Sequence, residues 1–290
     1  MKIGVIDVGS NSVRLMVRAG GKTLYKAVKT TRLSEKLSLT GVLQDFAMER
    51  TANAVLELAS LAQRDEVKKL FVFATAAVRS AKNGAEFVTL VMRKTSLAVD
   101  VIPGTEEAQI GLLGAVGKRA GAIIDVGGAS TEISVRSDTE QIYSKSLDVG
   151  TVRLFDWCGM DEDKLSAKIS EMLPAYGILP KTNRVFAIGG TATTLAAVDL
   201  ALPSFDEKRV DGHSISYERL KELCRFVLPL SVEERRRIPG MDLNKLDVIG
   251  GGMLLLLRIM EYWNQEKLTV SCADNLEGYA ILKGLDECII

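Results

Sequence analysis

A chain of 290 residues, 47% hydrophobic and 26% charged, is long enough for two domains with separate cores, and its 37 basic and 37 acidic residues cancel. With no global positive field it is not expected to bind nucleic acid, and a polyanionic ligand would need a local basic groove. One histidine, His213, excludes histidine-rich metal sites, and Cys158, Cys224, Cys272 and Cys288 form no C-x-x-C pair, which fits the reduced thiols of a cytoplasmic protein.

The apolar start is too short for a signal peptide and is broken at Asp7. Residues 4–17, GVIDVGSNSVRLMV, read as a β-hairpin of strand, Asp, glycine turn and returning strand. Alternation predicts another strand over residues 23–31, and residues 33–43 read as a loop turning at Gly41. Helical spacing predicts a helix over 45–63, followed by a buried strand at 70–74, a connecting loop at 75–79, a helix at 84–94 and a strand at 99–102. This alternation predicts an α/β fold, a mixed sheet with helices packed on it.

Pro103 and Gly104 break the last strand, and Thr105 is placed to N-cap a helix running to about residue 116. Glu106 and Glu107 then fall in its first turn, where carboxylates complement the helix dipole. The same place is the open edge at which α/β sheets bind ligands, so a catalytic base is a second reading. The dipole lowers the pKa of such a base and neighbouring anions raise it, and on balance it is expected to be ionised at neutral pH. GLLGAVGK at 111–118 is not a P-loop, because the spacing differs and Lys118 precedes Arg119 rather than Ser or Thr.

Residues 119–121 mark a boundary between domains at 1–120 and 121–290. The second opens with AIIDVGGASTEISV at 122–135, a hairpin whose Gly127 and Gly128 let backbone N–H groups approach an anion, with donors from Ser130 and Thr131. Asp125, at the strand end, is placed to bind a metal or a water. Laid over residues 4–17 it matches Asp7 to Asp125, Gly9 to Gly127 and Ser12 to Ser130, which suggests two similarly built domains. Arg14 stands where Glu132 stands, a cation on one hairpin and an anion on the other.

Further along, residues 141–149 read as a strand, and 151–157 and 163–173 as helices. Residues 185–188 form a strand ending in Gly189, Gly190 and Thr191, a third glycine and hydroxyl turn. His213 lies in a polar loop without a partner motif. Residues 217–228 are helical, and Ser231 caps a short helix carrying Arg235, Arg236 and Arg237, a charge run expected on the solvated surface unless it lines a polyanion groove. Residues 243–263 read as one helix interrupted by Gly250–Gly252, too short and too charged at its end for a membrane span. A strand at 268–271, then Asp274 and a helix over 276–286, complete the chain.

Two domains with strand-Asp-x-Gly hairpins resemble the superfamily of actin, sugar kinases and heat-shock chaperone ATPases. Within it, DVGSNSVRL at 7–15, PGTEEA at 103–108, DVGGASTE at 125–132 and IGGTATTLA at 188–196 resemble, in that order, four motifs of the exopolyphosphatase and guanosine pentaphosphate phosphatase family. Weaker similarity continues through LTGVLQDFAMERT, ATAAVR and LSVEERRRIPGM. The resemblance implies two actin-like domains around a cleft and hydrolysis of inorganic polyphosphate, or of guanosine pentaphosphate, at its terminal phosphoryl group. It implies Glu107 as the water-activating base, and Asp125 and Glu132 as the acids associated with a catalytic Mg²⁺ and the attacking water. Gly9, Ser10, Asn11 and Ser12, with Gly127, Gly128, Ser130 and Thr131, match its phosphate loops; Gly189, Gly190 and Thr191 match a third, and Arg79 an arginine near the substrate chain. It allows a homodimer. Two departures stand out: Ala129 replaces a third glycine, tolerable only with a negative φ, and Leu276 stands where the family often has Arg. A kinase of the wider superfamily is argued against by the E-E-A segment, and a non-catalytic phosphate-chain sensor by the retained Glu107, Asp125 and Glu132.

Overall fold

The computed structural model describes residues 1–285; Asp286, the expected end of the last helix, and Cys288 lie outside the described residues. Among the described residues, eleven strands form two sheets. The first contains β1 (Lys2–Val8), β2 (Ser12–Ala19), β3 (Lys22–Thr30), β4 (Lys69–Ala74) and β5 (Val99–Val101) in the order β3-β2-β1-β4-β5. The second contains β6 (Gly121–Val126), β7 (Thr131–Arg136), β8 (Gln141–Leu147), β9 (Val185–Ile188), β10 (Ser214–Ser216) and β11 (Lys267–Val270) in the order β10-β11-β9-β6-β7-β8. Read from β8, the second sheet repeats the first and adds β10 at its edge. Each begins with an antiparallel meander, and the next strand, β4 or β9, pairs in parallel with its central strand. The repeat extends to register, since Asp7 lies opposite Arg14 and Asp125 opposite Glu132.

The sheets divide near residue 120, but two helices cross between them. The Gly104–Ala115 helix packs on β6, β7 and β8, while the Asn275–Leu282 helix packs on β1. Leu276, Tyr279 and Ala280 share a core with Ile3, Val5, Met16, Phe73 and Ile110, and the Phe73 and Tyr279 rings stack at 4.5 Å. The two helices touch through backbone. A Cβ on Gly278 would stand 1.7 Å from the Ile110 carbonyl oxygen, and one on Gly114 would stand 2.0 Å from that of Asp274. Gly111 and Gly114 of GLLGAVGK therefore serve helix packing, while Gly117, at a φ of 67°, turns the chain out of the helix. Leu276 is fully buried here, an apolar contact where an arginine was the family expectation.

Several expectations are corrected. Residues 76–80 are a short helix, Ala76–Ser80, rather than loop, and Leu37–Thr40 is helical within the expected 33–43 loop. The helix bearing Glu107 starts at Gly104 with Pro103 in the N-cap position, so Thr105 is inside it and caps nothing. The helix expected from residue 243 begins at Ile249, and its three glycines sit in the first turns against other elements: Gly250 faces Arg235, and Gly252 faces Thr151 and Thr191. Arg235 is not solvated. Its guanidinium is 1% exposed and donates to the carbonyls of Val227, Leu228 and Leu246 at 3.2, 3.0 and 2.8 Å, an arrangement favoured at the C-terminal end of the Tyr217–Val227 helix. Among the described residues, no helix is long and apolar enough to cross a membrane.

Candidate active site

The two hairpin tips are built alike and meet. The Gly9 N–H donates to the Ser12 carbonyl at 3.0 Å, and the Gly127 N–H donates to the Ser130 carbonyl at 3.1 Å. A Cβ on Gly128 would stand 2.9 Å from that of Ser10 and 3.2 Å from the Asn11 nitrogen, so glycine is required for the tips to touch. Ala129 is buried with φ outside the left-handed region, and its carbonyl accepts from Arg153 Nε at 2.9 Å; the turn keeps its form without a third glycine. Behind it, the Thr151–Cys158 helix spends its first N–H groups on the Gly127 and Gly128 carbonyls, at 2.9 and 2.8 Å from Thr151 and Val152.

Five carboxylates, Asp7, Asp274, Asp125, Glu132 and Glu107, converge behind these tips. Arg14 donates to Asp7 through Nε at 3.1 Å and Nη2 at 2.5 Å, and through Nη1 to Asp274. Burial pushes Asp7 up, although Arg14 opposes it. Burial acts the same way on Asp274, but Arg14 and Lys26 overrule it and hold the group below the usual range. The first hairpin is thus neutralised from within. The second is not: among the described residues Asp125 accepts from the Asn275 amide alone, at 3.1 Å, and is pushed up to about 6 by burial, with Arg14 opposing and Asp274 and Asp7 assisting. Glu132 accepts from Ser146 Oγ at 2.7 Å and is pushed well above the carboxylate range by burial, Glu107 and Asp125. Glu107 is pushed up to about 7 by burial, against Arg79 and with help from Asp125 and Asp7. It is therefore poised near neutrality rather than fully ionised there as the helix-dipole argument expects, because burial outweighs the dipole.

Arg79 Nη1 donates to Glu107 at 2.9 Å and to the Ile102 carbonyl at 2.9 Å. It holds the acid and does not line the cleft. Thr131 and Glu132 also lie behind the wall; the Thr131 hydroxyl is spent on the Val149 carbonyl at 2.6 Å. The other expected positions, Glu107, Asp125, Gly9, Ser10, Asn11, Ser12, Gly127, Gly128, Ser130, Gly189, Gly190 and Thr191, share one cavity of about 1000 Å³. At the third turn, which opens the Gly189–Asp199 helix directly, Gly189 has a φ of 81° and a Cβ there would stand 2.6 Å from Asp125 Oδ1. The Thr191 hydroxyl donates to the Val126 carbonyl at 3.1 Å. His213 is remote from this cleft, paired with Asp199 at 2.7 Å.

The wall is not the basic groove a polyanion would call for. Its charged residues are six carboxylates, Asp7, Glu107, Asp125, Glu207, Asp242 and Asp274, against three cations, Arg14, Lys26 and Lys245. Each cation is paired: Arg14 as above, Lys26 with Glu277 at 2.8 Å, Lys245 with Asp242 at 2.6 Å. Such a cleft accepts a phosphate chain only with added cations. Among the described residues no three His, Cys, Asp or Glu side chains gather as a ready-made metal cage. The surplus of carboxylates around Asp125 instead fits a cation of the Mg²⁺ type, held by one or two carboxylates and by the ligand's own phosphate oxygens. Lys26, Lys245 and Asn275 carried no motif in the sequence; they reach the cleft only by folding.

The model of the Ppx/GppA phosphatase family matches residues 15–281. The chain belongs to this family. It is 28% identical over 312 residues to exopolyphosphatase 2 of Mycobacterium tuberculosis, covering 97% of this chain and 98% of that one. It is 27% identical to the guanosine-5'-triphosphate,3'-diphosphate pyrophosphatase of Aeromonas salmonicida, covering 98% of this chain and 60% of that one. Among solved structures, an exopolyphosphatase-like protein superposes with a TM-score of 0.91 at 26% identity over 98% of this chain and 99% of that one. The Aquifex aeolicus Ppx/GppA protein superposes with a TM-score of 0.80 at 27% identity over 100% and 99%. As in the family, the chain is a hydrolase of phosphoric anhydrides, and its two sheets repeat one strand order.

Proposed function

We propose that this Ppx/GppA protein releases terminal orthophosphate from inorganic polyphosphate in the cleft between its domains, as a cytoplasmic enzyme, through a water that Glu107 deprotonates. The observation that carries this reading is the Glu107 carboxyl, pushed up to about 7 in the wall that Asp125 shares, beside two touching glycine hairpins. A base with a pKa near the working pH combines a sizeable ionised fraction with a real affinity for the proton. Arg79 holds the Glu107 carboxylate and balances its charge before the proton arrives. Backbone N–H groups and hydroxyls of Ser10–Ser12 and Gly128–Ser130 orient the terminal phosphoryl group, and Asp125, with Glu132 behind it, would hold Mg²⁺. That ion, when bound, neutralises charge on the transferred group.

A specific feature favours guanosine pentaphosphate as a second substrate. Val28, Phe205 and Leu243 line the cleft while 60%, 60% and 55% exposed, an apolar rim that suits a base and has no use for a bare phosphate chain. Glu207 and Asp242 beside it can accept N–H groups of a guanine. Orthophosphate release from long polyphosphate, guanosine pentaphosphate and ATP, each with Mg²⁺ and with a chelator, tests both readings. Release from polyphosphate that stops on chelation supports the first; release from neither phosphate chain nor guanosine pentaphosphate overturns both.

A further inference from the structure

The start of the Asn275–Leu282 helix lies between the two hairpins, and Asn275 does something there that the helix does not need. The helix is already capped: Asp274 accepts the Leu276 N–H at 3.0 Å, and Glu277 accepts the Asp274 N–H at 3.0 Å in a complete capping box. The Asn275 side chain takes no part. It is 4% exposed, its Nδ2 donates to Asp125 Oδ2 across 150 residues of sequence, and its Oδ1 is buried without a hydrogen-bond partner. A buried amide with an unpaired oxygen is a net cost to folding, which an apolar residue of similar size would avoid.

We infer that Asn275 is a positioning residue that fixes the Asp125 carboxylate for its cation. The inference rests on the reading of Asp125 as a cation ligand. Asn275 holds Oδ2, and Gly189 gives Oδ1 room that any side chain would take. Asn275 is in turn placed by the first domain. Arg14 bonds Asp274, and Lys26 Nζ reaches Glu277 Oε2 at 2.9 Å and the Cys272 carbonyl at 2.7 Å. Gly111 leaves space on the other side, since a Cβ there would stand 2.8 Å from Asn275 Oδ1. The orientation of the second hairpin's carboxylate therefore depends on contacts made by the first hairpin and by the helix that bears Glu107. Residues that hold a metal ligand in this way are worth 10- to 100-fold in metal affinity.

Mn²⁺ titrated calorimetrically into the full chain, without substrate, provides the test. Asn275→Ala and Asn275→Leu are expected to bind Mn²⁺ roughly 10- to 100-fold more weakly than the wild type. The leucine variant, which removes the unpaired amide and keeps the branched shape, is expected to unfold at no lower denaturant concentration. Orthophosphate release by both variants at low Mg²⁺ falls and recovers in excess Mg²⁺. Leu276→Ala, which cuts a cavity in the same turn, is expected to lose stability and keep its Mn²⁺ affinity. Wild-type affinity in both Asn275 variants, or an equal loss in Leu276→Ala, overturns the positioning role. Asp125→Asn separates this from the underlying reading. If it binds Mn²⁺ as the wild type does, the cation assignment is wrong; if it loses Mn²⁺ while the Asn275 variants do not, only the role of Asn275 falls.

Discussion

Glu107→Gln, measured by stability rather than by rate, probes the environment on which the proposed chemistry depends. Burial raises the folded-state pKa of Glu107 from 4.5 to about 7. Between those values the folded protein holds a proton that the unfolded chain has released, so the group's contribution to stability is present at low pH and is lost as pH rises through about 7. At about 1.4 kcal/mol for each pH unit, the wild type loses about 3 kcal/mol across that window from this group alone. Glutamine does not titrate and can still accept from Arg79; the ion pair with Arg79 forms only where Glu107 is ionised and is already contained in its folded-state pKa, so it needs no separate correction. Denaturant titrations of both proteins in chelator, at about pH 5 and about pH 8.5, read the difference. The stability gap is expected to move in favour of the glutamine variant by about 3 kcal/mol between the two conditions. Asp125, pushed up to about 6, and Glu132 add a slope of the same sign, which weakens in the variant because Glu107 no longer repels them. Parallel behaviour of the two proteins across this range would refute the buried, proton-holding Glu107.

The central loop and the buried arginine give two further tests. Gly128→Val brings side-chain atoms into Ser10 and Asn11 and is expected to reduce orthophosphate release at least about tenfold by separating the tips, whereas Ala129→Gly is expected to cost about 1 kcal/mol of stability with activity within about twofold. Arg235→Met leaves three buried carbonyls without their donor and is expected to lower stability by about 3 kcal/mol in a denaturant titration, with Mn²⁺ affinity retained.

What could be read in the sequence was what repeats locally. Asp7 and Asp125 stand out because each ends an apolar strand and precedes a glycine, a pattern carried by neighbours in the chain, and the register confirms that their hairpins are equivalent. The Arg14 and Glu132 contrast is visible as well, but its meaning is not. The second partner of Arg14 is Asp274, 260 residues away, and with Asp7 it makes this cation an internal counter-ion. Arg79 is similar: its position suggests a phosphate contact, while the structure commits it to Glu107. Arg235 reads as surface because charge runs are usually solvated, yet three nearby carbonyls, two at the end of the preceding helix and one from Leu246, satisfy its donors once the chain turns back on itself. The protonation of Glu107 fails for the same reason, since a dipole is local and desolvation is a property of the packed whole.

The central claim is that Glu107 activates the attacking water, and orthophosphate release from long-chain polyphosphate by Glu107→Gln in saturating Mg²⁺ tests it most directly. Loss of a general base is expected to lower the turnover number by roughly 10²- to 10⁴-fold while the variant remains folded and binds Mn²⁺. Turnover within a few fold of the wild type would contradict the account.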